Sequence, residues 1–400
     1  MTPDLSRTSQ TDIICLSHLR WGFVFQRPQH LMSRFAGTRR VYFLEEPVFE
    51  EASEPRLRRE VCGKTGVVVM TPVLPESLRA GDGSPALRTL LDQLISRESV
   101  RRFVAWYYTP MALRFSSHLT PDVTVYDCMD ELSLFRGAPP QLCEYETQLL
   151  RRADVVFTGG VSLFEAKRHR HSNIFPCPSG VDVDHFSAAR LIRESPADQA
   201  DIARPRIGYA GVIDERLDLQ LIAEVAELRP EWQLVMIGPV VKIDPATLPR
   251  RANIHWLGMK DYRDLPKYFA GWDIGMLPFA LNDSTRFISP TKTPEYLAAG
   301  LSVVSTPIRD VVRPYGDLGL ACIAKDAQEF VGAVEKCRTY GLSYKWRQRA
   351  DNFLHTHSWD DLWGFMAARL EEALAIKTPK PAVMAAGKSR IAVPGERAHV

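Results

Sequence analysis

The chain has 400 residues, 45% apolar and 24% charged, with a formal net charge of +2. This length exceeds one ordinary core and predicts two α/β domains, and the near-neutral balance excludes nucleic-acid binding by the molecule as a whole. Seven scattered cysteines with no CxxC pair support neither a disulfide framework nor a zinc site.

Met1–Thr11 is polar and lacks the apolar stretch of a signal peptide. No window reaches about 18 consecutive apolar residues, so a cytoplasmic protein is expected, at most peripheral on a membrane. Strands are predicted at Asp12–Ser17, Arg40–Glu45, Gly66–Thr71, Phe103–Tyr107, Val123–Tyr126 and Asp154–Thr158. Several are apolar on consecutive residues, as parallel strands covered on both faces tend to be. Helical patterns lie between them at Pro28–Ala36, Ala86–Val100 and Gln141–Ala153. The basic clusters Arg101-Arg102, Arg151-Arg152 and Lys167–His171 read either as solvated helix faces or as a patch near an anionic lipid or acceptor.

A polar stretch, 187–205, reads as the inter-domain connection. The rhythm then restarts. Strands are predicted at Arg206–Ala210, Gln233–Ile237, Asn253–Leu257, Asp273–Leu277, Ser302–Thr306 and Leu320–Ala324. Helices are expected at Asp218–Leu228, Asp264–Ala270, Thr293–Ala299 and Ala327–Thr339. Two βα-repeating halves predict two doubly wound, Rossmann-like sheets, 12–186 and 206–358, facing each other across a cleft. Ser358-Trp-Asp-Asp361 is a capping-box-like start for a last helix, 359–376. Beyond 377 periodicity is lost and a disordered tail is expected.

The segment from Phe287 to Thr306 carries the strongest chemistry. It reads loop, helix, glycine cap and buried strand, with Pro294 suited to the first helical turn and Gly300 to its C-terminal cap. A helix N-terminus attracts a diphosphate; Lys292 adds a full positive charge there, and Glu295 can accept from a ribose diol. Alone, Glu295 would be an ordinary first-turn acid. Ile207–Asp218 is a strand, a glycine turn and a basic residue, in which Gly211 lets backbone approach a phosphate and Arg216 can bind one bidentately. It is not GxGxxG, so a dinucleotide fingerprint is absent. Asp127, Asp130 and Glu131 end a strand at the cleft mouth. Asp130 is the first candidate for the carboxylate that meets an acceptor hydroxyl, and Asp127 the second; capping of the next helix is the competing role.

The Phe287–Thr306 segment resembles the donor motif of retaining, family-4-type glycosyltransferases of the GT-B fold. The resemblance implies that Glu295 holds the nucleotide ribose and Lys292 faces the diphosphate. This chain departs from the pattern at Phe287, where a second glutamate is common, and Arg286 is the neighbour that can supply part of its role. Ile207–Asp218 looks like the first strand-turn of such a donor domain. The run Trp21–Phe35 is similar to the acceptor-side loop and first helix of a bacterial subgroup concerned with teichuronic acid and exopolysaccharide assembly, which makes Trp21, Arg27 and His30 acceptor-side candidates. Structural burial is the alternative for His30.

The resemblance implies a metal-independent transfer from a nucleotide sugar, a substrate rather than a cofactor, to a glycan or lipid-linked acceptor. A nucleotide-sugar epimerase and a non-catalytic partner in a polysaccharide assembly complex are the rivals. The D-x-D of Asp182 and Asp184 looks like a hinge entrance, not a metal site. Gly387-Lys388-Ser389 lacks the rest of a P-loop.

Overall fold

The computed structural model describes residues 11–340 and 343–377. The first sheet contains β1 (Asp12–Leu16), β2 (Val41–Leu44), β3 (Val48–Glu50), β4 (Arg56–Val61), β5 (Val68–Pro75), β6 (Phe103–Tyr107), β7 (Val123–Cys128), β8 (Val155–Thr158) and β9 (Ile174–Pro176). Its order is β3-β5-β2-β1-β6-β7-β8-β9, parallel throughout, with β4 antiparallel on β5. The strand β1 shows why consecutive apolar residues were needed. Ile13 and Cys15 enter one buried layer, Ile14 and Leu16 the layer on the other face.

The second sheet contains β10 (Arg206–Ala210), β11 (Gln233–Ile237), β12 (Ile254–Gly258), β13 (Ile274–Leu277), β14 (Ser302–Ser305) and β15 (Ala321–Ile323). All its pairs are parallel, in the order β12-β11-β10-β13-β14-β15. Strand order therefore reverses beside β1 in one domain and beside β10 in the other. In doubly wound sheets the crevice at that reversal, outside the strands' carboxyl ends, holds the ligand. The Trp21 loop follows β1 and the Gly211 loop follows β10.

The two-domain α/β expectation holds, with local differences. The strands β3, β4 and β9 have no counterpart among the expected elements. Neither do the helices Val161–Lys167 and Tyr344–Leu354. The stretch 187–205 is not a free connection. Ala189 is buried in the second core, Gln199 bonds Tyr268 O and Trp272 Nε1 at 3.1 and 2.8 Å, and Arg190 Nε donates to Ala298 O at 2.8 Å, closing a helix end. Asp182, the first acid of the D-x-D, caps the helix Val183–Ser187 by accepting from His185 N.

The last helix, Trp359–Lys377, buries Trp359, Met366, Leu370 and Leu374 in a core layer of the first domain. The chain therefore crosses back after finishing the second sheet. The box at its start forms, with Asp361 N donating to Ser358 Oγ at 3.0 Å and Ser358 Oγ donating to Asp361 Oδ2 at 2.6 Å. The tail expected after 377, with Gly387-Lys388-Ser389, lies outside the described residues. Among the described residues no helix is long and apolar enough to cross a membrane.

Candidate active site

The helix Lys292–Ala299 is fixed from both ends. Gly300 takes the left-handed backbone (φ 83°) that closes a helix, a conformation costly for a side chain with a Cβ. Tyr296 is seated on β13 because Gly275 has no Cβ; one added there would stand 2.5 Å from the Tyr296 ring. The Tyr296 hydroxyl then accepts from Ala210 N at 2.8 Å. One tyrosine thus locks the helix to the end of β10, immediately before Gly211. In the first turn, Thr293 N is used by Pro290 O and Glu295 N by Thr291 O, each at 3.3 Å, and Pro294 has no N–H. Anion affinity here rests on the Lys292 ammonium more than on free helix amides.

Lys292 Nζ donates to Glu295 Oε2 at 2.5 Å. Burial raises the Glu295 pKa and the Lys292 charge opposes the rise. One ammonium has three donors and one carboxylate about four acceptor sites, so the pair retains capacity for a ligand. Arg216 is held bidentately by Asp214, at 2.9, 3.1 and 2.7 Å, and its guanidinium lies 5.6 Å over the Phe135 ring of the first domain.

From the first domain, Asp130 stands at the end of β7, half-buried. Its pKa is raised to about 6, chiefly by burial, with Asp214 adding and Arg216 and Arg27 opposing. A carboxyl near neutrality is suited to exchanging a proton with a hydroxyl. Asp127 is placed elsewhere. It is fully buried behind the wall, where Arg27 Nε meets both its oxygens (3.0 and 3.1 Å) and Arg27 Nη2 donates at 2.8 Å. Arg27 Nη1 also donates to Cys177 O at 2.7 Å. The two form a closed structural pair, which leaves Asp127 little capacity for an acceptor.

His30 is stacked on Trp359, ring centroids 4.2 Å apart and planes 10° apart, with Phe25 edge-on at 4.6 Å. Burial first, then the charges of Arg34 and Lys292, hold its pKa down to about 2. It presents a neutral imidazole. Trp21 N donates to Glu45 Oε1 at 2.5 Å, fixing the loop that exposes Phe23 and Phe25.

These groups meet between the domains. A cavity of about 160 Å³ is walled by Arg27, His30 and Asp130 on one side and by Gly211, Arg216, Lys292 and Glu295 on the other. It shares His30, Gly211 and Lys292 with a larger space of about 650 Å³ that begins at Trp21. Direct contacts hold the domains together beside it: Ser162 N donates to Asp310 Oδ1 at 3.0 Å, Arg136 N donates to Glu215 Oε1 at 3.2 Å, and Arg309 pairs with Glu165.

Arg286 is not brought into the cleft. It is exposed, with its guanidinium 5.2 Å over the Phe287 ring, and Phe287 packs against the core of the first domain. Two contributors lay outside the sequence-based set. Asp214 precedes Arg216 by two residues, the spacing of an Asx turn, and this signal was available. Trp359 reaches the cleft only because the last helix returns to the first domain, and no local signal marks it.

Residues 204–339 match the family described as Glycosyl transferases group 1. The chain is 25% identical over 299 residues, 69% of its length and 74% of the relative's, to TuaH of Bacillus subtilis (strain 168), a protein named for glycosyl transfer in teichuronic acid biosynthesis. Among solved structures, the sucrose-phosphate synthase of Thermosynechococcus elongatus superposes with a TM-score of 0.67 at 13% identity, covering 92% of this chain and all of that one. Anabaena HepE, in complex with UDP and glucose, superposes with a TM-score of 0.65 at 14% identity, covering 90% of this chain and all of that one. At these identities the superpositions speak for the fold.

Proposed function

We propose, from the premise that the chain is a GT-B glycosyltransferase whose donor domain is of the group 1 type, that it moves a sugar from a UDP-sugar to a glycan or lipid-linked acceptor in bacterial cell-surface polysaccharide synthesis. The observation that carries this reading is the meeting of Asp130, from the first domain, with Arg216, Lys292 and Glu295, from the second, around one cavity. The TuaH name supports the polysaccharide role. The UDP and glucose held by HepE, of like fold, support the donor.

Glu295 holds the ribose through the acceptor capacity its carboxylate keeps beside the bond from Lys292. Lys292 and Arg216 bind the diphosphate and offset the negative charge that grows on it as its bond to the sugar breaks, the task a metal ion performs in other transferases. The acceptor enters along the Trp21 loop, and neutral His30, steadied by Trp359, helps to orient it. Asp130 accepts the proton of the attacking hydroxyl if the reaction inverts, or orients that hydroxyl if it retains. Most of the acceleration then comes from positioning and from fixed charge. The protein works in the cytoplasm, against the inner surface of the membrane where a lipid-linked acceptor is presented.

The test is release of nucleoside diphosphate from UDP-, GDP- and dTDP-sugars with and without an acceptor panel. UDP release that depends on acceptor is expected. Donor binding without turnover would establish a non-catalytic partner instead, and donor conversion without acceptor an epimerase.

A further inference from the structure

The first domain has a second cavity, of about 230 Å³, at the carboxyl ends of β1, β2, β5 and β6. Its floor is Leu44, Leu74 and Ala112, all buried. Its walls are half-buried apolar side chains, Phe49, Leu78, Met111 and Phe115 among them. It lies on the face of the sheet opposite the crossover helix, since Leu44 and Ala112 belong to one core layer and Trp359 to the other.

The two spaces meet at one ridge. Glu45 lines the apolar cavity and accepts from Trp21 N, while Trp21 lines the inter-domain cleft. Arg20 spans the same ridge, donating to Glu46 O at 2.7 Å and Pro47 O at 3.0 Å. Glu46 is exposed at the mouth, where the charges of Arg20 and of Lys242, the latter from the second domain, both act on its carboxylate. The cavity mouth therefore borders the groove between the domains.

We infer that this cavity receives the apolar aglycone of the acceptor, an alkyl or prenyl chain that crosses the Arg20–Glu45 ridge while its sugar hydroxyl reaches Asp130. This rests on the transferase reading and narrows its acceptor from glycan or lipid-linked to one carrying an apolar chain. A small site whose walls are mostly apolar, with Glu45 and Glu46 on the side of the Arg20 ridge, suits a ligand with a polar head and an apolar tail. At roughly 30 Å³ per water-sized group, the space holds about seven or eight methylenes.

The test is isothermal titration of methyl, butyl and heptyl β-glucosides, below micelle formation, into the full-length protein. A separate UDP titration on the same samples reads the donor site independently. Heptyl glucoside should bind at least tenfold more tightly than methyl glucoside; burial of each methylene is worth up to about fourfold. Met111→Asp should abolish the chain-length gain and leave UDP binding unchanged. If that variant fails to fold, Leu78→Asp at the half-buried wall gives the same reading. Equal affinity of the methyl and heptyl probes would overturn the inference, as would a gain that survives in the folded variant. Loss of UDP binding by the wild-type protein would instead count against the transferase reading.

Discussion

Arg27 and Asp127 lie 100 positions apart in the chain and form a fully buried ion pair, with three contacts of 2.8–3.1 Å and a further bond from Arg27 to Cys177 O. The pair ties the first helix to β7 behind the cleft wall. Removing one partner of such a pair leaves an uncompensated charge, at about 3–5 kcal/mol. Asp127→Ala and Arg27→Ala should therefore each lower the urea midpoint of unfolding by that equivalent, without a change in slope. A variant as stable as the wild type would show that the pair is not what holds β7 in place.

Asp130 should behave differently. Its carboxyl is raised to about 6, so the protonated form is favoured by the fold. The stabilising contribution is present below the unfolded carboxyl pKa and is lost as pH rises through about 6. Asp130→Asn, which mimics the protonated form, should be at least as stable as wild type at pH 7.5. Transfer should fall by about 10²–10⁴ in this variant if the carboxylate acts as a base, while UDP affinity is kept. In the wild type, kcat/KM should drop about tenfold per pH unit below about 6. A flat profile between pH 5 and 7.5 would remove Asp130 from the proton transfer.

Asp214 is a positioning residue for Arg216. It fixes the guanidinium plane through both oxygens and adds to the upward shift of Asp130. Asp214→Asn should lower kcat more than it raises KM for donor, and should move the acid limb of the pH profile down. Asp214→Glu should recover part of the rate. A change in stability alone, with an unmoved pH profile, would make the residue merely structural.

The legible parts of this chain are those whose signals are local. The interiors of β1, β6 and β10 are consecutive apolar residues because both faces of the sheet are covered. Pro294 in the first turn and Gly300 at the cap mark the helix Lys292–Ala299 by backbone geometry alone. By contrast, β4 reads Arg-Leu-Arg-Arg-Glu-Val and is largely exposed; charge on an outer strand is what blunts a sheet edge, and it hides the strand from an apolar pattern. Asp127 and Asp130 look alike in sequence, both at the end of β7. They are separated by Arg27, which arrives from a helix far along the chain, and no spacing rule pairs them. Arg286 was expected at the cleft from its position beside Phe287, and the packing of Phe287 against the other domain leaves the arginine in solvent.

The central claim is that Lys292 and Glu295, joined at 2.5 Å at the start of the helix Lys292–Ala299, grip the diphosphate and ribose of the donor. Isothermal titration of UDP against the wild type, Lys292→Ala and Glu295→Ala tests it most directly. Each substitution should weaken UDP binding at least tenfold, equivalent to about 1.4 kcal/mol, with the fold intact by circular dichroism. A dissociation constant for UDP that both substitutions leave unchanged would contradict the account.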